Sequence, residues 1–418
     1  MTRVAARAAS LLRPYRTFFA SPGVLPVALP AYLGRLTPSI TSLALVLVVK
    51  RQTGSFAVAG AATAAYYLAV AVMAPVAGRL MDRVGARPVL LASGVLYPAA
   101  LLGIVLGPRL GLGRTGTQAL CAVAGLTVPQ LTTVTMSLWA RLLPEEEARQ
   151  AAYSTESVVT EVVFILGPLL VSLFVLLGDP AYALLAAGAC SAVGAFGVAS
   201  SALLRNPPRE RSEAAGWTGP LRAAGVRVML VTLGIVAVIY GAVPLVVAAF
   251  AQERAEPAAV GVLLALWSAG GIIGALWYGG RRWSIPARQQ FPWALAALAT
   301  SLVPIALARG LPDMALCMLL AGLAVAPVGV LAMQLIAVVA PPETRTEAFG
   351  WQNTASYAGF ALGSSLGGLA IDSLGYRLAA LVPSVAVLLA LAVMGLWWHS
   401  LAAPAAATAT QSDDARSA

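Results

Sequence analysis

Three charged side chains stand inside otherwise apolar stretches of this sequence: Arg35, Glu156 and Glu161. An acid and a base in such surroundings can do one of two things. They can hold each other as a fixed ion pair, or the carboxyl can take and release a proton as its contact with the arginine changes. A charge inside a bilayer costs about 2.5 kcal/mol or more, so it is retained for a partner or a task. Counted from the start of its apolar run, Arg35 lies at a depth similar to that of Glu161, which makes an Arg35–Glu161 pair geometrically plausible. The two glutamates are five residues apart and so point about 140° apart on a helix. They cannot share one face, and the spacing leaves open which of them meets a cavity. Proton coupling is considered first for Glu161 and second for Glu156, with the fixed pair as the competing reading.

The elements that must carry these charges follow from hydropathy. Of the 418 residues, 59% are hydrophobic and only 11% charged, and the mean hydropathy is +0.83. Apolar runs of about 20 residues recur from end to end, each long enough to cross a bilayer as a helix. Twelve such runs are predicted, the first near 24–49 and the last near 376–399. The fold class is therefore an all-α membrane protein in which twelve spans form two groups of six. A basic segment over 1–21 precedes the first six-helix bundle, 22–204. A polar linker over 205–225 leads to the second bundle, 226–399, and the Ala/Thr/Ser/Asp-rich tail, 400–418, is expected to be disordered.

The net charge of +10 is read by location. It is almost all arginine, with Lys50 as the only lysine. Placing the amino terminus in the cytoplasm puts most of the 27 basic residues in cytoplasmic loops, as the positive-inside bias requires. Both termini are then cytoplasmic, and the predicted location is the cell membrane. The charge needs no nucleic acid to explain it. Cys121, Cys190 and Cys317 each lie in an apolar run without metal-ligand spacing and read as packing residues. One histidine, His399, and scattered carboxylates do not make an enzyme site. No Gly-rich phosphate loop with lysine is present, so no nucleotide or other cofactor is expected.

A faint internal repeat relates the halves. Pro144–Arg149 (PEEEAR) opens the fifth run and Pro341–Arg345 (PPETR) the eleventh. Glu161 stands six residues before Gly167, as Tyr357 does before Gly363. Parallel repeats with a central site between them are a transporter plan.

The turn between the second and third runs reads GRLMDRVGARPVL, residues 78–90. Arginines belong there electrostatically, while Asp82 among them can pair with a neighbour or with a helix amino terminus. Gly78 and Gly85 permit close helix approach and a positive-φ turn. The Gly-x3-Asp-Arg-x-Gly-x-Arg pattern, at this turn of a six-plus-six chain, resembles the signature of the major facilitator superfamily. The resemblance implies two pseudo-symmetric six-helix bundles and a monomeric transporter. It also implies that Gly78, Asp82, Arg83, Gly85 and Arg87 form a conformational latch, with the partner of Asp82 in the region of Thr346 to Gly350. The second-half counterpart, Tyr278-Gly-Gly-Arg-Arg282, keeps glycine and arginine but no aspartate. Gly167-Pro168 is similar to the core of the helix-packing motif of the superfamily's drug/proton antiporters, although Leu169, Leu170 and Val171 replace the glycines that follow there. The fourth run also lacks the arginine often tied to proton coupling.

In that fold the first, fourth, seventh and tenth spans line the central cavity. The resemblance thus offers Tyr32, Arg35, Thr41, Gln130, Thr133, Tyr240, Met333 and Gln334. Neighbouring spans add Tyr66, Tyr67, Trp267, Trp351, Gln352, Asn353 and Tyr357. So composed, the cavity is mildly aromatic, amide-bearing and sparse in charge. It lacks the dense polar array a sugar or nucleotide needs and suits an amphipathic organic molecule. The expected function is secondary active transport by alternating access: proton-coupled efflux of a drug-like compound or secondary metabolite. The alternatives are an importer or uniporter of a small nutrient or organic anion, and a non-transporting receptor on the same fold.

Overall fold

The computed structural model describes residues 23–142, 146–201, 204, 219–281, 283–341 and 344–401. Among them no strand occurs, and nearly every residue is helical. The cause is the solvent: hydrocarbon offers nothing to bond an open backbone, so each crossing segment must satisfy its own amides.

In chain order the helices are α1 (Val24–Thr53), α2 (Phe56–Val84), α3 (Ala86–Leu106), α4 (Arg114–Thr127), α5 (Leu131–Leu142), α6 (Glu146–Leu176) and α7 (Ala181–Ser200). They continue as α8 (Ala224–Val236), α9 (Val238–Glu253), α10 (Ala259–Gly279), α11 (Ala287–Leu302), α12 (Leu311–Val339), α13 (Arg345–Ala379) and α14 (Val382–Leu396). Short polar devices close the ends. The Ser55 hydroxyl accepts from the Val58 amide at 3.2 Å and starts α2, and the Asp313 carboxylate accepts from the Gly310 amide at 3.2 Å and starts α12. Such caps supply partners that a helix terminus lacks.

Two pairs of helices form single spans despite a break. Val128, Pro129 and Gln130 interrupt Arg114–Trp139, and Ala237 interrupts Ala224–Glu253. Ten spans among the described residues are long and apolar enough to cross a membrane, each at the place the hydropathy predicts. The last two predicted spans differ. α13 and α14 meet the same criterion only when taken together, as a pair bent by 86°, so ten or eleven of the twelve expected spans meet it among the described residues. The polar run Gln352, Asn353 and Thr354 lowers the hydropathy of α13, Gly375 breaks it with φ 79°, and α14 has only 15 residues.

Contacts divide the chain into two units, 1–212 with 247–268, and 213–246 with 269–418. In the first, α1 lies against α7 at a crossing made of glycines: a Cβ on Gly194 would come within 2.7 Å of the Gly34 Cα. In the second, α13 approaches α8 and α9 in the same way, with Gly359 and Gly363 against the backbone of Gly234 and Val238. Lipid tails are as apolar as leucine, so helices here gain from close van der Waals contact, which small residues permit. Replacing Gly194 by leucine, against Gly34 and the Pro30 carbonyl, is expected to prevent folding. Gly194→Ala should cost about 1–3 kcal/mol, read as a lowered midpoint in thermal unfolding of the detergent-purified protein.

Candidate functional site

The buried charges belong to the first unit. Arg35 lies eleven residues after the start of α1 and Glu156 ten after the start of α6, so the two groups reach the same level. Arg35 Nη1 pairs with Glu156 Oε2, and the two side chains are 10% and 1% exposed. Arg35 Nη2 donates to the Thr160 hydroxyl at 2.6 Å. The Trp139 indole, wholly buried, donates to the other carboxylate oxygen, Glu156 Oε1, at 2.6 Å. Thr160, one turn beyond Glu156, also donates to the Glu156 carbonyl at 2.9 Å. Both oxygens of the carboxylate are therefore engaged, and the surroundings are the packed side chains of Val27, Ala31, Leu131, Leu138 and Ala152. The Tyr32 hydroxyl is buried at the edge of this network.

This arrangement corrects the expected Arg35–Glu161 pair. The apolar run of the fifth span begins later than the helix does. α6 extends back to Glu146, and depth measured from the helix start selects Glu156. The five-residue offset then turns Glu161 away from Arg35. Glu161 is exposed and has no ion-pair partner among the described residues. It lies about two turns before Pro168 on the same side of α6. Along that side the Ser172 hydroxyl accepts from the Gly261 amide at 2.8 Å, and the Ser268 hydroxyl donates to the Phe164 carbonyl at 3.3 Å. Gly261 packs on the Pro168 carbonyl. Gly167 faces the other way, where a Cβ would approach the Ser39 Cβ to 2.6 Å. Gly167-Pro168 thus lets α6 lie close to α1 and to the start of α10 at once.

Beside the ion pair an apolar groove of about 650 Å³ runs between α1, α6 and α7, lined among others by Tyr32, Leu33, Leu36, Val162, Leu166 and Val193. Among the described lining residues Tyr32 alone has a polar side chain.

One comparison with known proteins decides the family. The sequence model of the Major Facilitator Superfamily matches residues 27–319 and 228–417. The chain belongs to the major facilitator superfamily. An uncharacterised transporter of this type from Sinorhizobium fredii, y4rN, is similar to it at 26% identity over 400 residues, covering 91% of this chain and 96% of that one. Solved structures share the fold. The nucleoside transporter NupG matches with a TM-score of 0.73 at 13% identity, over 89% of this chain and 98% of its own. A bacterial homologue of the lysosomal transporter Spinster, inward-facing and unoccupied, matches with a TM-score of 0.70 at 14% identity, over 90% and 96%. The protein is thus a multi-pass membrane transporter of a small molecule, not an enzyme.

The superfamily signature at 78–90 occupies a one-residue connection. α2 ends at Val84 and α3 starts at Ala86, with Gly85 between them at φ 90° and its amide donating to the Met81 carbonyl at 2.9 Å. Gly78 lies about two turns earlier on α2, and Arg83 and Arg87 are exposed. The side chains of Asp82 and Thr346 lie outside the described residues.

The remaining transporter-cavity candidates separate by burial. In the first unit Thr133 is exposed and Gln130 half-buried, whereas Thr41 is fully buried and hydrogen-bonded to the Tyr97 hydroxyl at 2.7 Å. Tyr66 and Tyr67 pack edge to face and, like Trp267, are buried. In the second unit Tyr240 and Tyr357 both pack on Phe360, with ring centres 5.3 and 5.5 Å away. Gln334, Met333 and Asn353 are exposed, and Trp351 and Gln352 half-buried. Trp139 and Thr160 are site residues that the sequence reading misses. Thr160 is signalled only by its i+4 spacing from Glu156 and Trp139 by nothing local.

Breaking one side of the buried pair should leave an uncompensated charge costing about 3–5 kcal/mol. Arg35→Met or Glu156→Leu alone is therefore expected to lower the unfolding midpoint strongly, while the double substitution recovers most of the loss. A double-mutant cycle in thermal unfolding checks this.

Proposed function

We propose that this transporter is a proton-coupled exporter of amphipathic organic compounds, with Glu161 as the proton-carrying carboxyl and the Arg35–Glu156 pair as a fixed structural tie. The observation that carries the reading is the contrast between the two glutamates. Glu156 has both oxygens engaged and is sealed in apolar packing, so a proton would have to displace the arginine or the indole. Glu161 stands on the same membrane helix, exposed and without an ion-pair partner among the described residues. A carboxyl in that position can change protonation without unmaking the core.

The substrate class follows from the linings. Leucine and valine dominate the groove beside Tyr32, and the paired rings of Tyr240, Phe360 and Tyr357 offer stacking surface. Apolar walls with few polar groups select for amphipathic molecules. Gln130, Thr133, Gln334, Trp351, Gln352 and Asn353 supply the sparse polar contacts. Import of an organic anion on Arg35 is disfavoured, because its guanidinium is already held by Glu156 and Thr160. Asp82 and Arg83, with Gly78, Gly85 and Arg87, serve as the latch of alternating access at the cytoplasmic face of the cell membrane, with both termini on that side.

Proteoliposomes with an imposed pH gradient and a panel of amphipathic compounds test the assignment. Wild type should dissipate the gradient on addition of a substrate. Glu161→Gln should reduce this proton flux by at least tenfold while substrate binding, read by tryptophan quenching, persists. Undiminished proton flux in Glu161→Gln would return Glu161 to a surface role.

A further inference from the structure

The second-half counterpart of the signature turn, Tyr278 to Arg282, keeps its arginines without an acid, and the described residues there, up to Arg281 and from Trp283 on, pack in a defined way. Trp283 is its centre. The Tyr278 ring stacks on it at 5.1 Å between centroids and 24° between planes, and the Trp277 ring meets its edge at 5.7 Å. The Trp283 indole donates to the Tyr278 carbonyl at 3.0 Å, and the Tyr278 hydroxyl donates to Gln290 Oε1 at 2.8 Å. The turn is thus stapled to both α10 and α11. Over the Trp283 ring sits the Arg281 guanidinium, 5.2 Å from the centroid. A cation held by a ring face keeps its N–H groups free for an acceptor. A few residues on, Arg288 lies over Trp398 at 4.4 Å and donates to its carbonyl, while its Nε is buried with no partner.

No acid faces this assembly from its own sequence, for there is none between Glu256 and Asp313. Neither Arg281 nor Arg288 is in an ion pair among the described residues. Around the arginines large apolar side chains are exposed: Trp277 at 54%, Ile285 at 50% and Trp293 at 78%. Arginine donors flanked by exposed indoles at the end of a membrane helix match the chemistry of an interface, where rings sit at headgroup level and cations meet phosphate.

We propose that the α10–α11 turn, with Arg281 held on Trp283 and Arg288 held on Trp398 at the start of α11, is a binding site for the headgroup of an anionic phospholipid. The phosphate accepts from the two guanidinium groups, and the acyl chains lie along Trp277 and Trp293. In this half of the chain a lipid supplies the negative charge that Asp82 supplies within the first-half turn. A soluble phosphate would match the arginines equally but leaves the exposed indoles without a function.

The test uses the full-length protein in nanodiscs of phosphatidylcholine with a minor fraction of phosphatidylglycerol, followed by native mass spectrometry of retained lipid. Wild type should retain phosphatidylglycerol over phosphatidylcholine. Arg281→Gln, which removes an exposed charge without touching the staples, should lower phosphatidylglycerol retention several-fold. Trp283→Leu should do the same although it changes no charge. Arg109→Gln, in an exposed loop of the first unit, should leave it unchanged. Equal retention by wild type and Arg281→Gln, or no preference between the two lipids, would overturn the proposal. Displacement of the lipid by millimolar inorganic phosphate would overturn it in favour of a soluble-anion site.

Discussion

The structure of the first unit depends on one buried ion pair. Arg35 and Glu156 come from helices far apart in sequence, and each would be prohibitively costly alone in an apolar interior. Arg35 and the Trp139 indole satisfy the two carboxylate oxygens of Glu156, the Thr160 hydroxyl accepts from Arg35, and the pair ties α1, α5 and α6 at one level. The glycine approaches around it then fall into place. Gly167 of α6 meets Ser39 of α1 along the same pair of helices, one of them, α1, also meeting α7 at Gly34 and Gly194. Strength of binding is not the point of such a pair, since apolar residues of similar volume often serve as well. It penalises every arrangement in which either charge loses its partner.

The two glutamates divide labour because of helix geometry. A five-residue step separates the interior of the unit from the side on which α6 carries Pro168 and Ser172. One carboxylate is therefore locked while the other is left available on the same helix. On the proposed proton-coupled reading, Glu156 belongs to a frame that does not change with protonation and Glu161 is the site that does.

Much of this is legible in the sequence. Ten of the helical spans stand where hydropathy puts them, and the stretch 78–90 points to the superfamily by its residue pattern alone. Where sequence and fold disagree, the reasons are definable. Hydropathy assigns Arg35 the wrong glutamate because the apolar run in the fifth span starts later than its helix, and the added residues from Glu146 shift the level by which depth is judged. Thr41 and Tyr66 are polar residues on the spans where a lining is expected, yet both are buried. That burial depends on which way each helix is rotated, and rotation is set by tertiary packing. Trp139 gives no local signal because its role lies wholly in a contact with another helix. The last two spans depart from the count because a polar run and a glycine break dilute a signal that averages over a window.

Gly85 has a mechanical consequence. A connection of one residue leaves no slack between α2 and α3, so neither can slide or tilt without handing that displacement to the other. A longer loop would absorb motion as a slack rope does. This one transmits it as a crank does, and the left-handed backbone at Gly85 is the bearing. A side chain there would strain the joint itself, so the tight coupling of α2 to α3 depends on this glycine.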